Sequence, residues 1–242
     1  MLPENLRKVE AFWASYFGCA PADLASGKTL VLPHAALLGY DGVLVFRHGG
    51  GCVVSVPDTV PEIERGKLRK GAPSEVFDPA FLARVFVIST EKVSGPAWIG
   101  IADASDFRPV KSAARILGPA DREALRRLAE GSGEVAWKQS RLMEDREPAF
   151  GLYAGGEIVA AAGYLVMGKT LAYIGVVTHP QYRGRGYAKA VAAVAMEHAF
   201  GAGLAAMYRA PRAHESAVKL AGSLGFAPYA ETYDVQLVED VF

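Results

Sequence analysis

The chain has 242 residues, 51% apolar and 21% charged, with 26 lysines and arginines balanced by 26 aspartates and glutamates. That apolar fraction supports a buried core and excludes general disorder. The balanced charge excludes bulk electrostatic attraction to nucleic acid or to an anionic membrane.

In chain order, Leu6, Val9, Phe12, Trp13, Tyr16 and Phe17 recur at three- and four-residue spacing. They predict a helix that Gly18 closes in the left-handed position. Three short β runs follow at 29–32, 42–46 and 52–56, the last two joined by His48-Gly-Gly-Gly51. Residues 61–70 and 79–86 read as helices entered through proline, and 98–102 as a strand. Asp103-Ala-Ser-Asp-Phe-Arg-Pro109 reads as a linker, because polar turn residues and a proline interrupt two patterned regions. It divides the sequence into a smaller α/β domain, 1–108, and a second domain, 112–242. After a short apolar run at 114–117, Pro119 opens a helix with Asp121 and Glu123 in its first turn and Arg126 and Arg127 later, the order the helix dipole favours. Strands at 149–154 and 157–166 are joined by Gly155-Gly156, a two-residue hairpin signal. A third strand, 171–178, leads through a glycine- and arginine-rich turn to an alanine-rich helix, 185–200. Then come a strand at 204–208, a helix at 214–224 and a last strand or pair at 226–238. The fold class is α+β, a mixed α/β arrangement.

The segment Val176-Val-Thr-His-Pro-Gln-Tyr-Arg-Gly-Arg-Gly-Tyr-Ala188 carries the chemistry. A strand ends at Pro180, and a turn containing Gly184 and Gly186 opens a helix. Glycine lets backbone N–H groups approach a ligand with no Cβ in the way. Those N–H groups have no partner inside the helix, and the dipole places partial positive charge on them. Arg183 and Arg185 add full charges, which makes an anion site suited to phosphate or pyrophosphate. The plainer alternative is a capped strand–helix turn with two solvated arginines. A dinucleotide fingerprint fails because its third glycine position is Lys189, and no Gly-Lys-Ser/Thr of a nucleotide P-loop occurs. His48-Gly-Gly-Gly51 has no Gly-x-Ser-x-Gly partner, so no esterase elbow is expected. The five histidines share no metal-ligand spacing, and no metal is expected. Arg65-Gly-Lys-Leu-Arg-Lys70 reads as a solvated helix end.

Gln181-Tyr-Arg-Gly-Arg-Gly186 fits the pattern Gln/Arg-x-x-Gly-x-Gly/Ala between a β run and a long helix. It resembles the acetyl-CoA-binding signature of the GNAT N-acetyltransferase superfamily. The resemblance extends to the order of elements over 113–238 and to Leu224-Gly-Phe226, which is similar to the family's second signature. It implies a GNAT fold, with a central mixed, mostly antiparallel sheet flanked by helices. The preceding smaller α/β domain is then either a degenerate GNAT-like half or a module covering the acceptor. Acetyl-CoA is implied as co-substrate, with its pyrophosphate on Arg183, Gly184, Arg185, Gly186, Tyr187 and Ala188. Its pantetheine arm is implied along Val176, Val177 and Thr178. Direct attack by an amine is implied, with a base to deprotonate an ammonium of pKa near ~10.4 and an acid to protonate the departing thiolate.

Family members often carry an asparagine near the start of the last helix and a tyrosine within it. The corresponding residues here are His214 and Ala221, and alanine donates no proton. The candidate proton carriers are therefore Tyr233, Tyr208 and His214, with Tyr229 also available. Glu215 and Glu231 are candidate bases on charge alone. Each of these also reads as an ordinary packed or solvated side chain.

The leading expectation is an N-acetyltransferase acting on a primary amine of a small molecule or peptide. The alternative is a non-catalytic acyl-CoA-binding sensor or regulatory module. The expected partners are that amine and a second copy of the chain in a homodimer, with no nucleic acid and no membrane. Two cysteines, Cys19 and Cys52, make no disulfide framework. With no secretory leader and no run of roughly 18 uncharged apolar residues, a soluble cytoplasmic protein is expected.

Overall fold

The computed structural model describes residues 1–140, 142 and 148–237. Among these lie ten β-strands and eight α-helices. The chain divides into two compact units, each assembled from separated stretches of sequence. Val238, where the last strand was expected to end, lies outside the described residues, as do 239–242.

The first unit comprises Leu6–Ile99, Ala210–His214 and Pro228–Phe242. It holds most of α1 (Pro3–Phe17), then β1 (Thr29–Pro33), β2 (Val43–His48), β3 (Gly51–Val56), α2 (Glu62–Lys70), α3 (Pro73–Val76), α4 (Pro79–Phe86) and the start of β4 (Val93–Ala102). The late strand β10 (Ala227–Val235) joins them, in the order β1-β3-β2-β10-β4. β1 runs parallel to β3, and β2 runs antiparallel to both β3 and β10. The β2 and β3 sequences are nearly continuous apolar runs because both faces of these strands are covered. On one face Phe46 meets Trp13 and Phe17 of α1, with ring centroids 4.8 and 5.0 Å away. On the other, Val43 and Val45 join Leu68 of α2 with Leu82 and Val85 of α4. Asp78 caps α4 by accepting the Ala80 and Phe81 N–H groups, with Pro79 at the first helical position. The four-residue α3 is too short to leave a periodic trace in the sequence.

The second unit comprises Met1–Asn5, Gly100–Arg209 and Glu215–Ala227. It contains β5 (Arg115–Ile116), α5 (Arg122–Ser132), α6 (Glu134–Ser140), β6 (Ala149–Ala154), β7 (Glu157–Met167), β8 (Leu171–Thr178), α7 (Tyr187–Gly201), the body of β9 (Ala205–Pro211) and α8 (Glu215–Leu224). Its strands lie in the order β9-β8-β7-β6-β5. β5 to β8 pair antiparallel, and β8 and β9 pair parallel. The β6–β7 hairpin turns on Gly155 and Gly156, both at positive φ (61° and 84°), as such a tight turn requires. One face of the sheet carries α5, whose Leu125 and Leu128 cluster with Ala161 and Val177. The other carries α7, where the Tyr164 hydroxyl and His198 Nδ1 are hydrogen-bonded at 2.8 Å.

The 103–109 stretch is a docked turn rather than a free connector. Asp103, 2% exposed, accepts from the Leu2 N–H (2.7 Å), Asn5 Nδ2 (2.9 Å) and both the N–H and Oγ of Ser105 (2.9 and 2.6 Å). Burial opposes ionisation, but these donors outweigh it and hold the carboxyl well below the usual carboxylate range. Further along, the Arg108 N–H donates to the Leu224 carbonyl at 3.1 Å. Gly225 sits against this turn at φ 106°, where a Cβ would lie 2.1 Å from the Asp106 carbonyl oxygen. The glycine of Leu224-Gly-Phe226 is therefore a steric necessity.

Asp121 ties together β5, the start of α5 and β6. It accepts from the Arg115 guanidinium (2.7 and 3.0 Å), the Tyr153 hydroxyl (2.6 Å) and the Gly118 N–H (2.8 Å). In that order, these three donors hold its carboxyl well below the usual range.

Candidate active site

The geometry of interest begins where two strands part. β8 and β9 are in register over only three pairs, Leu171↔Ala205, Ala172↔Ala206 and Tyr173↔Met207. β8 then continues to Thr178 held by β7 alone, through Ala162↔Val176, Ala161↔Val177 and Ala160↔Thr178. The His179 N–H donates to the Val159 carbonyl (2.9 Å), so odd-numbered residues of β8 turn their polar backbone groups toward β7. The Thr170 carbonyl accepts from the Ala205 N–H (3.0 Å), so even-numbered ones face β9. Past Tyr173 that edge has lost its partner strand. Val176 and Thr178 therefore direct backbone N–H and C=O groups into a gap in the sheet. Val177 lies between them with its backbone turned to β7 and its side chain in the α5 cluster.

The turn that follows is shaped by local chemistry. His179 caps a single 3₁₀ turn, Pro180–Tyr182, with Nδ1 accepting from the Gln181 N–H at 3.3 Å. Arg183 is extended, and its Nε donates to the Thr178 carbonyl at 3.3 Å. Gly184 and Gly186 stand at φ 77° and 79°, and a Cβ built on either meets nothing within 4 Å. These glycines are required by backbone conformation, and the space beside them is open to a ligand. Gly186 caps α7 without a side-chain bond, and Ala190 is the residue whose N–H reaches back to the Gly186 carbonyl, at 3.1 Å. The amides of Tyr187 and Ala188 thus belong to the first helical turn, whose donors have no partner within the helix. Arg185 lies over the Tyr182 ring at 5.2 Å, and both arginines of the turn are exposed. Fixed amide donors, a helix N-terminus and two cations at one strand end can hold a phosphate-bearing ligand. The adjoining gap offers that ligand's arm a strand edge.

The expected proton carriers fall in different places. Tyr208 is the first β9 residue beyond the last β8–β9 pair, so it stands where the gap opens. Its ring lies 5.8 Å from that of Phe226, and burial, then nearby Tyr173, pushes its hydroxyl up to about 12. Tyr233 belongs to the first unit, in the α2–α4 core cluster, with its ring 4.7 Å from Phe77. Tyr229 also belongs to the first unit, outside that cluster, its ring 4.2 Å from His48, with a buried hydroxyl that has no partner among the described residues. His214 is exposed just ahead of α8, its N–H bonded to the Pro211 carbonyl. Glu231 is engaged by Arg47 and by Arg212 (2.7 Å), and Glu215 by Lys219 (2.9 Å). Ala221, at the position of the usual tyrosine, is fully buried. The hydroxyl of Thr178, a residue named above for the pantetheine arm, stands at the end of β8. It is buried and has no hydrogen-bond partner among the described residues. No group of three or more histidine, cysteine or acidic residues suited to a metal occurs among the described residues. Nor is any described helix long and apolar enough to cross a membrane.

Residues 117–226 match the model of the Acetyltransferase (GNAT) family, and the match leaves the N-terminal part unassigned. No curated protein sequence matches the chain. Among solved structures it is similar to an acetyltransferase of the GNAT family from Colwellia psychrerythraea, at 19% identity and a TM-score of 0.50. That likeness covers 59% of this chain and 56% of the other. A GNAT-family acetyltransferase from Novosphingobium aromaticivorans is 26% identical over 59% of this chain and 63% of its own, with a TM-score of 0.48. A GCN5-related N-acetyltransferase-like protein from Streptococcus suis is 17% identical with a TM-score of 0.48, over 97% of this chain and 99% of its own. The chain thus spans less than two thirds of the first two of these relatives.

Proposed function

We propose that the chain is an acetyl-CoA-dependent N-acetyltransferase that passes an acetyl group directly to a primary amine of a small molecule or peptide. The observation that carries this reading is the parting of β8 from β9 after Tyr173↔Met207, beside a turn whose two glycines are at positive φ. The coenzyme, when bound, supplies a thioester whose carbonyl carbon accepts the amine. The residues present suit it. Arg183 to Ala188 offer amides and charge to its pyrophosphate, and Val176 and Thr178 offer backbone donors and acceptors to its pantetheine amides. An N–H at the gap edge stabilises negative charge that develops on the carbonyl oxygen.

The reading assigns Tyr208 as the acid. It stands at the gap and keeps its proton at neutral pH, ready to give it to the departing thiolate. Tyr233 and His214 are kept as alternatives, the first packed on Phe77 and the second exposed. Neither cysteine lies in the matched region, in keeping with direct transfer. Buried Cys52 is in addition pushed up to about 12 by desolvation, which leaves no thiolate for an acyl-enzyme.

Calorimetric titration with acetyl-CoA, with NAD as control, tests the coenzyme; saturable binding to acetyl-CoA alone is expected. Combined R183A and G184A substitution is expected to abolish it, and unchanged affinity would remove the assigned site. Buried Ala221 in place of the usual tyrosine favours the second reading, a non-catalytic acyl-CoA-binding module. Release of free thiol from acetyl-CoA in the presence of primary amines separates the two.

A further inference from the structure

A turn built on Gly184 and Gly186 has no side chains at those positions to hold it, and a Cβ on either would touch nothing. Its amides are preorganised for a ligand only if the segment ahead of them is fixed. That segment is the 3₁₀ turn Pro180–Tyr182, and His179 holds it twice. The Tyr182 N–H donates to the His179 carbonyl (2.9 Å), and the Gln181 N–H donates to Nδ1 (3.3 Å). The opposite edge of the same ring rests on α5. A Cβ built on Gly131 would lie 2.6 Å from both Cδ2 and Nε2 of His179. Gly131 is the penultimate residue of α5 and is not among the glycines at positive φ. Alanine is the better helix former at such a position. What glycine provides here is room for the ring.

The contacts continue outward from that seat. The Tyr182 ring meets the His179 ring edge-on, with centroids 5.7 Å apart and planes at 73°. Arg185 in turn lies over Tyr182. Gly131, His179, Tyr182 and Arg185 thus form one column, from α5 to a cation of the glycine turn. We infer that His179 is a positioning residue that fixes the phosphate-binding turn against α5, so that Gly131 governs coenzyme affinity without touching the ligand. A methyl group on Gly131 forces the ring to swing aside, which takes Nδ1 off the Gln181 N–H and frees the turn. Gly131 is exposed and lies outside the apolar α5 cluster, so the core is left as it was. The inference rests on the coenzyme reading above and adds to it a determinant on a different element.

A double-mutant cycle of G131A and H179A, read by calorimetry with acetyl-CoA, tests it. Each single variant is expected to bind roughly tenfold more weakly than wild type. The double variant should bind no worse than H179A, because the ring that the methyl displaces is already gone. H179N, whose Oδ1 restores the acceptor for the Gln181 N–H, should stay within about threefold of wild type. The melting temperature should rise when G131A is added to H179A, where alanine meets no ring. A histidine serving stability alone would lower the melting temperature of H179A and leave its affinity unchanged, which overturns the inference. Equal losses of affinity from G131A in the wild-type and H179A backgrounds would overturn it too. If wild type and G131A bind equally well, the inference falls and the coenzyme site stands. If wild type shows no saturable binding, the coenzyme reading falls and takes this inference with it. Should H179A fail to fold, H179F against H179N contrasts a ring without an acceptor with an acceptor without a ring, on the same readout.

Discussion

At the scale of single residues, protonation state separates the candidates for proton transfer. Desolvation keeps Tyr208 a neutral phenol to about pH 12, so it enters each cycle as a donor at any working pH. The amine acceptor, with its pKa near ~10.4, is then the group whose titration shapes the rate. Turnover, followed by thiol release between pH 6 and 10, is expected to rise throughout with no alkaline decline. Tyr208→Phe should lower the plateau on the order of 10²-fold and leave the shape and the acetyl-CoA affinity unchanged. A variant that turns over at the wild-type rate would return the acid to Tyr233 or His214. Residue chemistry was the most legible level in the sequence. The spacing of Gly184 and Gly186 reported backbone freedom, and the structure places both at positive φ. The demand on Gly225 was hidden, because it comes from a carbonyl more than a hundred positions earlier, at Asp106.

At the scale of elements, Asp121 shows how one cap can organise three. Its folded pKa is depressed below the unfolded value of ~3.9, so its contribution is complete above that value. The contribution is lost as pH falls through the folded pKa. Arg115 gives the largest share, trimmed by screening because its side chain is more than half exposed, and the part-buried bonds from Tyr153 and Gly118 add to it. Asp121→Asn is expected to lower stability at pH 7 by about 1–2 kcal/mol. The deficit should shrink as denaturant melts are repeated toward pH 3, and a constant deficit would show that charge at this position is irrelevant. The long elements were readable because their periods persist. α1, α4, β8 and the β6–β7 hairpin all lie where spacing and turn chemistry put them. α3, with four residues, and α6, with seven, carry too few turns to show a period. The buried hydrogen bonding of 103–109 was not legible for a different reason. Polar turn residues look alike whether they face water or, as Asp103 does, are buried among donors.

For the molecule as a whole, the coenzyme reading makes a statement about linkage. A ligand held by the second unit stabilises it by about 2.7 kcal/mol at a hundred times its dissociation constant. For a chain of this size that corresponds to a rise of roughly 5–10 °C in melting temperature. Hydrogen exchange with and without acetyl-CoA should concentrate added protection on β8, the glycine turn and the start of α7. Protection spread evenly, or confined to the first unit, would count against the assigned site. Strand order was the least legible property. A sequence pattern shows that residues near 230 form a strand, but it does not show which strand they join.

That last pairing has a consequence for how the chain is made. β10 is hydrogen-bonded to β2, with Ala230 opposite His48, 182 positions earlier in the sequence. On the ribosome, β2 emerges well before β10, the strand that will cover one of its edges. Throughout that interval Val43–His48 is an apolar strand with an open edge, the form most prone to pair with the wrong neighbour. A chain that stops before β10 is expected to keep that edge bare and to aggregate where the full sequence does not, which light scattering of the two chains would show.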